Sequence, residues 1–146
     1  HLSGKRWEQA LEWLAARPDI HEVILSGGDP LTLTNRRLEQ LLDALAAIPH
    51  LRRLRIHSRT PVVIPERLDA GLKALLTRDR WQTVLVLHAN HPREISPALV
   101  ARCRDWRSAG MTLLNQSVLL AGVNDRVDTL ADLSDVLFDA GVLPYH

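Results

Sequence analysis

Five short polar clusters interrupt the apolar runs of this 146-residue chain: Ser26-Gly27-Gly28-Asp29, His57-Ser58-Arg59, His88-Ala89-Asn90-His91, Asn115-Gln116-Ser117 and Tyr145-His146. Gly27 and Gly28 can turn the backbone sharply and offer N–H groups to a carboxylate or phosphate. Asp29 can accept from an ammonium or bond locally as a turn residue, and in isolation the GGD run reads first as a turn. It lacks the spacing of a dinucleotide fingerprint or a phosphate-binding loop. Arg59, followed by Thr60-Pro61, carries a planar guanidinium able to clasp a carboxylate bidentately or to form a surface ion pair. Gln116 both donates and accepts, which suits ribose hydroxyls; the competing role for its cluster is capping of the Leu119-Leu120-Ala121-Gly122 turn.

His57, His88 and His91 admit a metal reading, that of a metal-dependent TIM-barrel hydrolase, because imidazoles on neighbouring strand ends are common zinc ligands. No HxH pair or companion acid accompanies them, so hydrogen bonding is the first reading of each. The lone cysteine, Cys103, sits in a helical pattern between Val100 and Trp106 and reads as a buried core thiol.

The elements that must position these groups repeat. Trp7, Ala10, Leu11 and Leu14 follow helical spacing, and Arg17-Pro18 ends that helix. Short β-rich runs then start near 22, 53, 83, 112 and 142, each of the first four followed by a helical stripe: Leu38 to Leu45, Leu68 to Leu75, the segment opened by Ser96-Pro97 and closed by Gly110, and Leu130 to Leu137 closed by Gly141. Pro65 is expected in the first turn of the second of these. A spacing of roughly thirty residues is the length of a βα unit, which makes the strands parallel. Val84-Leu85-Val86-Leu87 has the continuous apolar character of a strand covered on both faces. The class is α/β, with a barrel or partial barrel preferred to a doubly wound sheet because the polar clusters all follow strands and would open on one face.

Lys plus Arg (18) nearly balance Asp plus Glu (17) for a net charge of +1, which gives no electrostatic pointer to nucleic acid or a membrane surface. No apolar run is long enough to span a bilayer and no signal-peptide pattern opens the chain, so a cytoplasmic location is expected. The start at His1 and the stop at Leu143-Pro144-Tyr145-His146 read as those of a piece cut from a longer protein.

Taken together, ILSGGDPL, LRRLRIHSRTPVVIPERL, HANHPREI, TLLNQSVLLAGVND and LFDAGVLPY resemble the lysine 2,3-aminomutase family of radical S-adenosylmethionine enzymes. The wording is most similar to the branch that makes (R)-β-lysine for elongation factor P. The resemblance implies that residues 1–146 are the central part of a single radical SAM domain, a partial (βα) TIM-like barrel without its first strand and C-terminal elements. It implies S-adenosyl-L-methionine, a [4Fe–4S] cluster on a CxxxCxxC loop, and pyridoxal 5'-phosphate. In the family a 5′-deoxyadenosyl radical takes hydrogen from the β-carbon of lysine bound to pyridoxal phosphate, and the amino group migrates.

By the same resemblance Ser26, Gly27, Gly28 and Asp29 match the strand end that receives the methionine part of S-adenosylmethionine. Arg59 matches a carboxylate partner, His88 and Gln116 match positions near the nucleoside, and Asn90, His91 and Ser117 are secondary pocket candidates. Catalytic residues and cluster ligands are expected outside the segment: the cysteines before His1, the lysine for pyridoxal phosphate and the substrate-reading acids after His146. Neither Lys5 nor Lys73 sits in a matching motif. Ala121 replaces a frequent basic residue, and His146 the second tyrosine of a usual PYY. The expected substrate is an amino acid, lysine ahead of glutamate or arginine, with no nucleic-acid or membrane partner and homo-oligomers allowed for the full-length protein. The segment alone is expected to be inactive and, with open sheet edges, poorly stable. A non-catalytic barrel fragment is the remaining alternative.

Overall fold

A computed structural model describes residues 4–145. The five strands are β1 (Glu22–Leu25), β2 (Arg53–Ser58), β3 (Gln82–His88), β4 (Thr112–Gln116) and β5 (Leu143–Pro144), and their starts lie within a residue of those expected. Helices α1 (Gly4–Ala15), α2 (Asn35–Ala46), α4 (Ala70–Leu76), α5 (Pro97–Ser108) and α6 (Val127–Ala140) correspond to the five helical stripes. Thr34, Asp69 and Ser96 cap α2, α4 and α5 by accepting from backbone N–H groups two or three residues into each helix.

Two local features differ from expectation. Pro65 does not enter the helix that follows; it opens a separate 3-10 turn, Pro65–Arg67. The reason is Asp69, whose carboxylate accepts from Leu72 N at 2.8 Å and so starts α4 at Ala70, five residues later. A one-turn helix, α3 (Thr60–Val63), also follows Arg59, with Pro61 in its first turn.

All neighbouring strands pair in parallel, in the order β1-β2-β3-β4-β5. A doubly wound sheet reverses its strand order at a switch point, and this one does not. With right-handed crossovers, one-directional winding puts every connecting helix on the same face. That face is the core: Leu54, Ile56, Leu85, Leu87 and Leu113 meet Leu38, Leu42 and Leu45 of α2, Leu72 and Leu76 of α4, Leu99, Cys103 and Trp106 of α5, and Leu133 and Leu137 of α6. Burial of each such side chain contributes on the order of 1.5–3 kcal/mol. By contrast α1 buries no residue fully and rests on the core through Trp7, Leu11 and Leu14. Cys103 is 1% exposed, and burial pushes its thiol up to about 12, so it remains an inert core group.

Strand alternation sends the intervening residues to the opposite face: Glu22 and Ile24, then Arg53, Arg55 and His57, then Val84, Val86 and His88, then Leu114 and Gln116. This face is concave. Three inter-strand steps separate β2 from Tyr145 just after β5, about 14 Å in a flat sheet. Yet Arg55 Nη1 donates to the Tyr145 hydroxyl, and the guanidinium lies 5.2 Å from the ring centroid. Among the described residues no helix is long and apolar enough to cross a membrane.

Candidate functional site

At the C-terminal ends of the strands the polar clusters divide into two groups. The first forms a hydrogen-bonded rim joining successive loops. Asp29, just after β1, accepts four bonds: Oδ1 from Leu31 N at 3.1 Å and from the Ser58 hydroxyl, Oδ2 from Arg59 N at 2.9 Å and Thr60 N at 3.0 Å. Burial pushes its carboxyl up, but the bonds from Ser58, Thr60, Arg59 and Leu31 outweigh it and hold the carboxyl below its ordinary value. Asp29 therefore fastens the β1 and β2 loops together, with no oxygen left unengaged.

Arg59 continues the rim. Its Nη1 donates to His88 O at 3.1 Å and its Nη2 to Glu94 Oε2 at 2.7 Å, with the side chain 50% exposed. The other oxygen of Glu94 accepts from Asn90 N and His91 N at 2.9 and 3.1 Å. His91 is used locally, its Nδ1 accepting from Arg93 N in a capping box with Glu94 around the 3-10 turn Pro92–Glu94. Asn90 Oδ1 accepts from Val118 N, and Asn90 O accepts from Asn124 Nδ2 at 2.7 Å. Asn124, with no exposed surface, also donates to Val118 O and accepts from Leu120 N, so it performs the turn capping considered for the cluster before it.

Asn115 lies on the helix-covered face with Leu113. Its amide exchanges bonds with both backbone groups of Ala89, at 2.9 and 3.1 Å, and Ser117 donates to Ala89 O as well. Asn90, His91 and Ser117 are thus rim residues that hold loops. Glu94 is the member that sequence reasoning missed; the signal was the spacing of His91 and Glu94, an N-cap with an acid three residues on.

The second group is unpartnered. Among the described residues, the side chains of Ser26, His57, His88 and Gln116 make no hydrogen bond, and neither do the amides of Gly27 and Gly28. Gly27 and Gly28 have φ of 69° and 59°, and a Cβ on either would meet nothing within 4 Å. The left-handed backbone, not crowding, selects glycine here, and the space that a side chain would take is open at both positions. His88 and Gln116 are register partners on adjacent strands, facing the concave side. His57 stands next to His88, ring centroids 5.5 Å apart, and 6.3 Å from the Tyr145 ring. Burial, with the neighbouring His88 and Arg55, holds the His57 imidazole below its ordinary value.

With His91 committed to its own loop, the three-histidine set of the hydrolase alternative does not assemble. Among the described residues no group of three or more His, Cys, Asp or Glu is placed to hold a metal. His146 lies outside the described residues.

Fold and site together define a one-directionally wound βα-repeat protein of the partial-barrel class, with its unengaged polar groups at the C-terminal ends of the strands. No protein-family profile matches the chain. It is 50% identical over 142 residues to the L-lysine 2,3-aminomutase of Escherichia coli strain K12, matching 97% of this chain and 42% of that protein. The protein of the same name from Clostridium subterminale is 39% identical over 144 residues, 97% of this chain and 34% of its own, and that from Methanococcus maripaludis 35% over 145, 99% and 33%. The chain belongs to the lysine 2,3-aminomutase family. It spans less than half the length of these relatives.

Proposed function

We propose that this chain is the S-adenosylmethionine-binding middle of a radical SAM, pyridoxal-phosphate-dependent aminomutase that converts L-lysine to (R)-β-lysine. The observation that carries the reading is the 50% identity over 142 residues to a protein named L-lysine 2,3-aminomutase. The finer assignment, to the branch serving elongation factor P, rests on the wording of the motifs described above.

The unpartnered groups suit the cofactor. Gly27 and Gly28 present N–H groups to a carboxylate, and His88 and Gln116 offer hydrogen bonds to ribose hydroxyls. Beside Gln116 the β4–α6 loop exposes Val118, Leu119 and Val123, an apolar surface for a planar base. Arg59 reaches a ligand carboxylate by exchanging it for Glu94; an exposed pair of this kind is worth under about 1 kcal/mol, so the exchange costs little. When bound, S-adenosylmethionine supplies hydrogen-atom abstraction chemistry, and the protein's part is to orient it.

The other two groups implied by the family do not fit residues of this chain. Cys103 is buried on the helix side, and Lys73 is paired with Asp105 at 3.0 Å between α4 and α5. An iron–sulfur cluster and pyridoxal phosphate are expected to be held by residues outside 1–146.

The test uses the reconstituted full-length protein. Lysine is expected to convert to β-lysine only with S-adenosylmethionine, and Gln116→Ala is expected to weaken binding of that cofactor about tenfold, the worth of one hydrogen bond. Absence of both S-adenosylmethionine binding and β-lysine would overturn the reading.

A further inference from the structure

We propose that Arg55 and His57 form an oxyanion subsite on the concave face, adjoining the His88–Gln116 pair on the side away from the rim. It deepens the functional reading above and rests on it in taking the concave face as the ligand face. His57 has no hydrogen bond at either ring nitrogen among the described residues, although it is half-buried. A ligand that reaches this face therefore meets an imidazole with no protein partner to displace.

The groups facing His57 give that ligand its charge. From its own strand comes Arg55, from β3 His88, from β4 the uncharged Gln116, and from beyond β5 Tyr145. The nearest acid on this face, Glu22 of β1, is bound to Arg55 Nε at 2.9 Å. Arg55 Nη1 is taken by Tyr145, and Nη2 has no partner among the described residues. A guanidinium and two imidazoles thus face one engaged carboxylate. Glu22 and Tyr145 fix the guanidinium in place, which leaves its free edge preorganised for a planar or tetrahedral oxyanion.

The neighbours of His57 disfavour its cation, and an oxyanion beside the ring reverses that balance. Binding is therefore accompanied by proton uptake from solvent onto His57, with the imidazolium then donating to the bound oxygen. A carboxylate and a phosphate ester share this chemistry.

The full-length protein, labelled with ¹³C-histidine, distinguishes them. The His57 ring resonance, assigned by its loss in His57→Asn, is titrated with pH in chloride, acetate or inorganic phosphate at matched ionic strength. Acetate or phosphate is expected to raise the midpoint by about one pH unit, as an opposite charge within a few ångströms does. A response to acetate alone assigns a carboxylate, to phosphate alone a phosphoryl group, and to both a general oxyanion site. A midpoint the same in all three salts overturns the subsite. Arg55→Gln is expected to raise the midpoint in chloride and to remove the anion response; a full response in that variant also overturns it. S-adenosylmethionine binding is measured on the same samples. Binding with no anion response sinks the subsite alone, whereas an anion response without cofactor binding sinks the functional reading.

Discussion

Rim and concave face draw their polar residues from the same strand ends, yet the two regions treat them in opposite ways. On the rim, Asp29, Arg59, Asn90, Glu94, Asn115 and Asn124 bond to a neighbouring loop or to the backbone of the next strand. On the face, His57, His88 and Gln116 bond to nothing among the described residues. Buried or half-buried polar groups cost free energy when unpaired, so the rim contributes stability and the face forgoes it. Position in the chain does not sort the two. Asn115 and Gln116 are adjacent, and alternation sends one to the core side and the other to the ligand side.

The rim's contribution to stability is expected to be largest at Asn124. Asn124→Ala removes a fully buried amide and strands Leu120 N, Val118 O and Asn90 O; a loss of about 3 kcal/mol is expected, read as a lower urea midpoint of the full-length protein. Asp29→Ala is expected to cost about 2 kcal/mol by the same measurement. Because the folded carboxyl of Asp29 lies below its unfolded value, its contribution is complete above the ordinary carboxylate range and is lost as pH falls through the lowered folded value. Asp29→Asn should therefore flatten the acid limb of the stability profile. An unchanged acid limb would move Asp29 from rim to face.

On the face the expected signs separate. His88→Ala should weaken S-adenosylmethionine binding about tenfold while shifting stability by less than about 0.5 kcal/mol, measured by calorimetric titration and urea unfolding together. A large stability loss there would erase the distinction between the regions. The smallest effect is on the helix side, where the Thr83 hydroxyl is buried without a partner. Thr83→Val keeps the shape and removes that hydroxyl, so a gain of about 0.5 kcal/mol is expected in the same denaturation series.

The fold was legible where a period carried it. Strand starts and helix faces follow from the thirty-residue repeat and the leucine stripes, since burial depends on local alternation and little else. The rim was not legible, because its bonds cross a whole βα unit: Asp29 meets Ser58, Arg59 and Thr60, and Arg59 meets Glu94. Motif resemblance placed Asp29 and Arg59 at the strand ends without revealing that other residues already occupy them. Asn115 could have been sorted by counting from Leu113, two residues before it on the same face. Glu22, Arg55 and Tyr145 could not have been joined by counting, since their meeting depends on the curvature of the sheet.

The unbroken strand order has a bearing on how the chain is made. Each strand pairs with the one synthesised just before it, so every strand pairing closes a loop of only one repeat. Loop-closure entropy stays small and the sheet can lengthen edge by edge as the chain leaves the ribosome. A pause in translation would leave a shorter sheet of correct register, not a wrongly paired one.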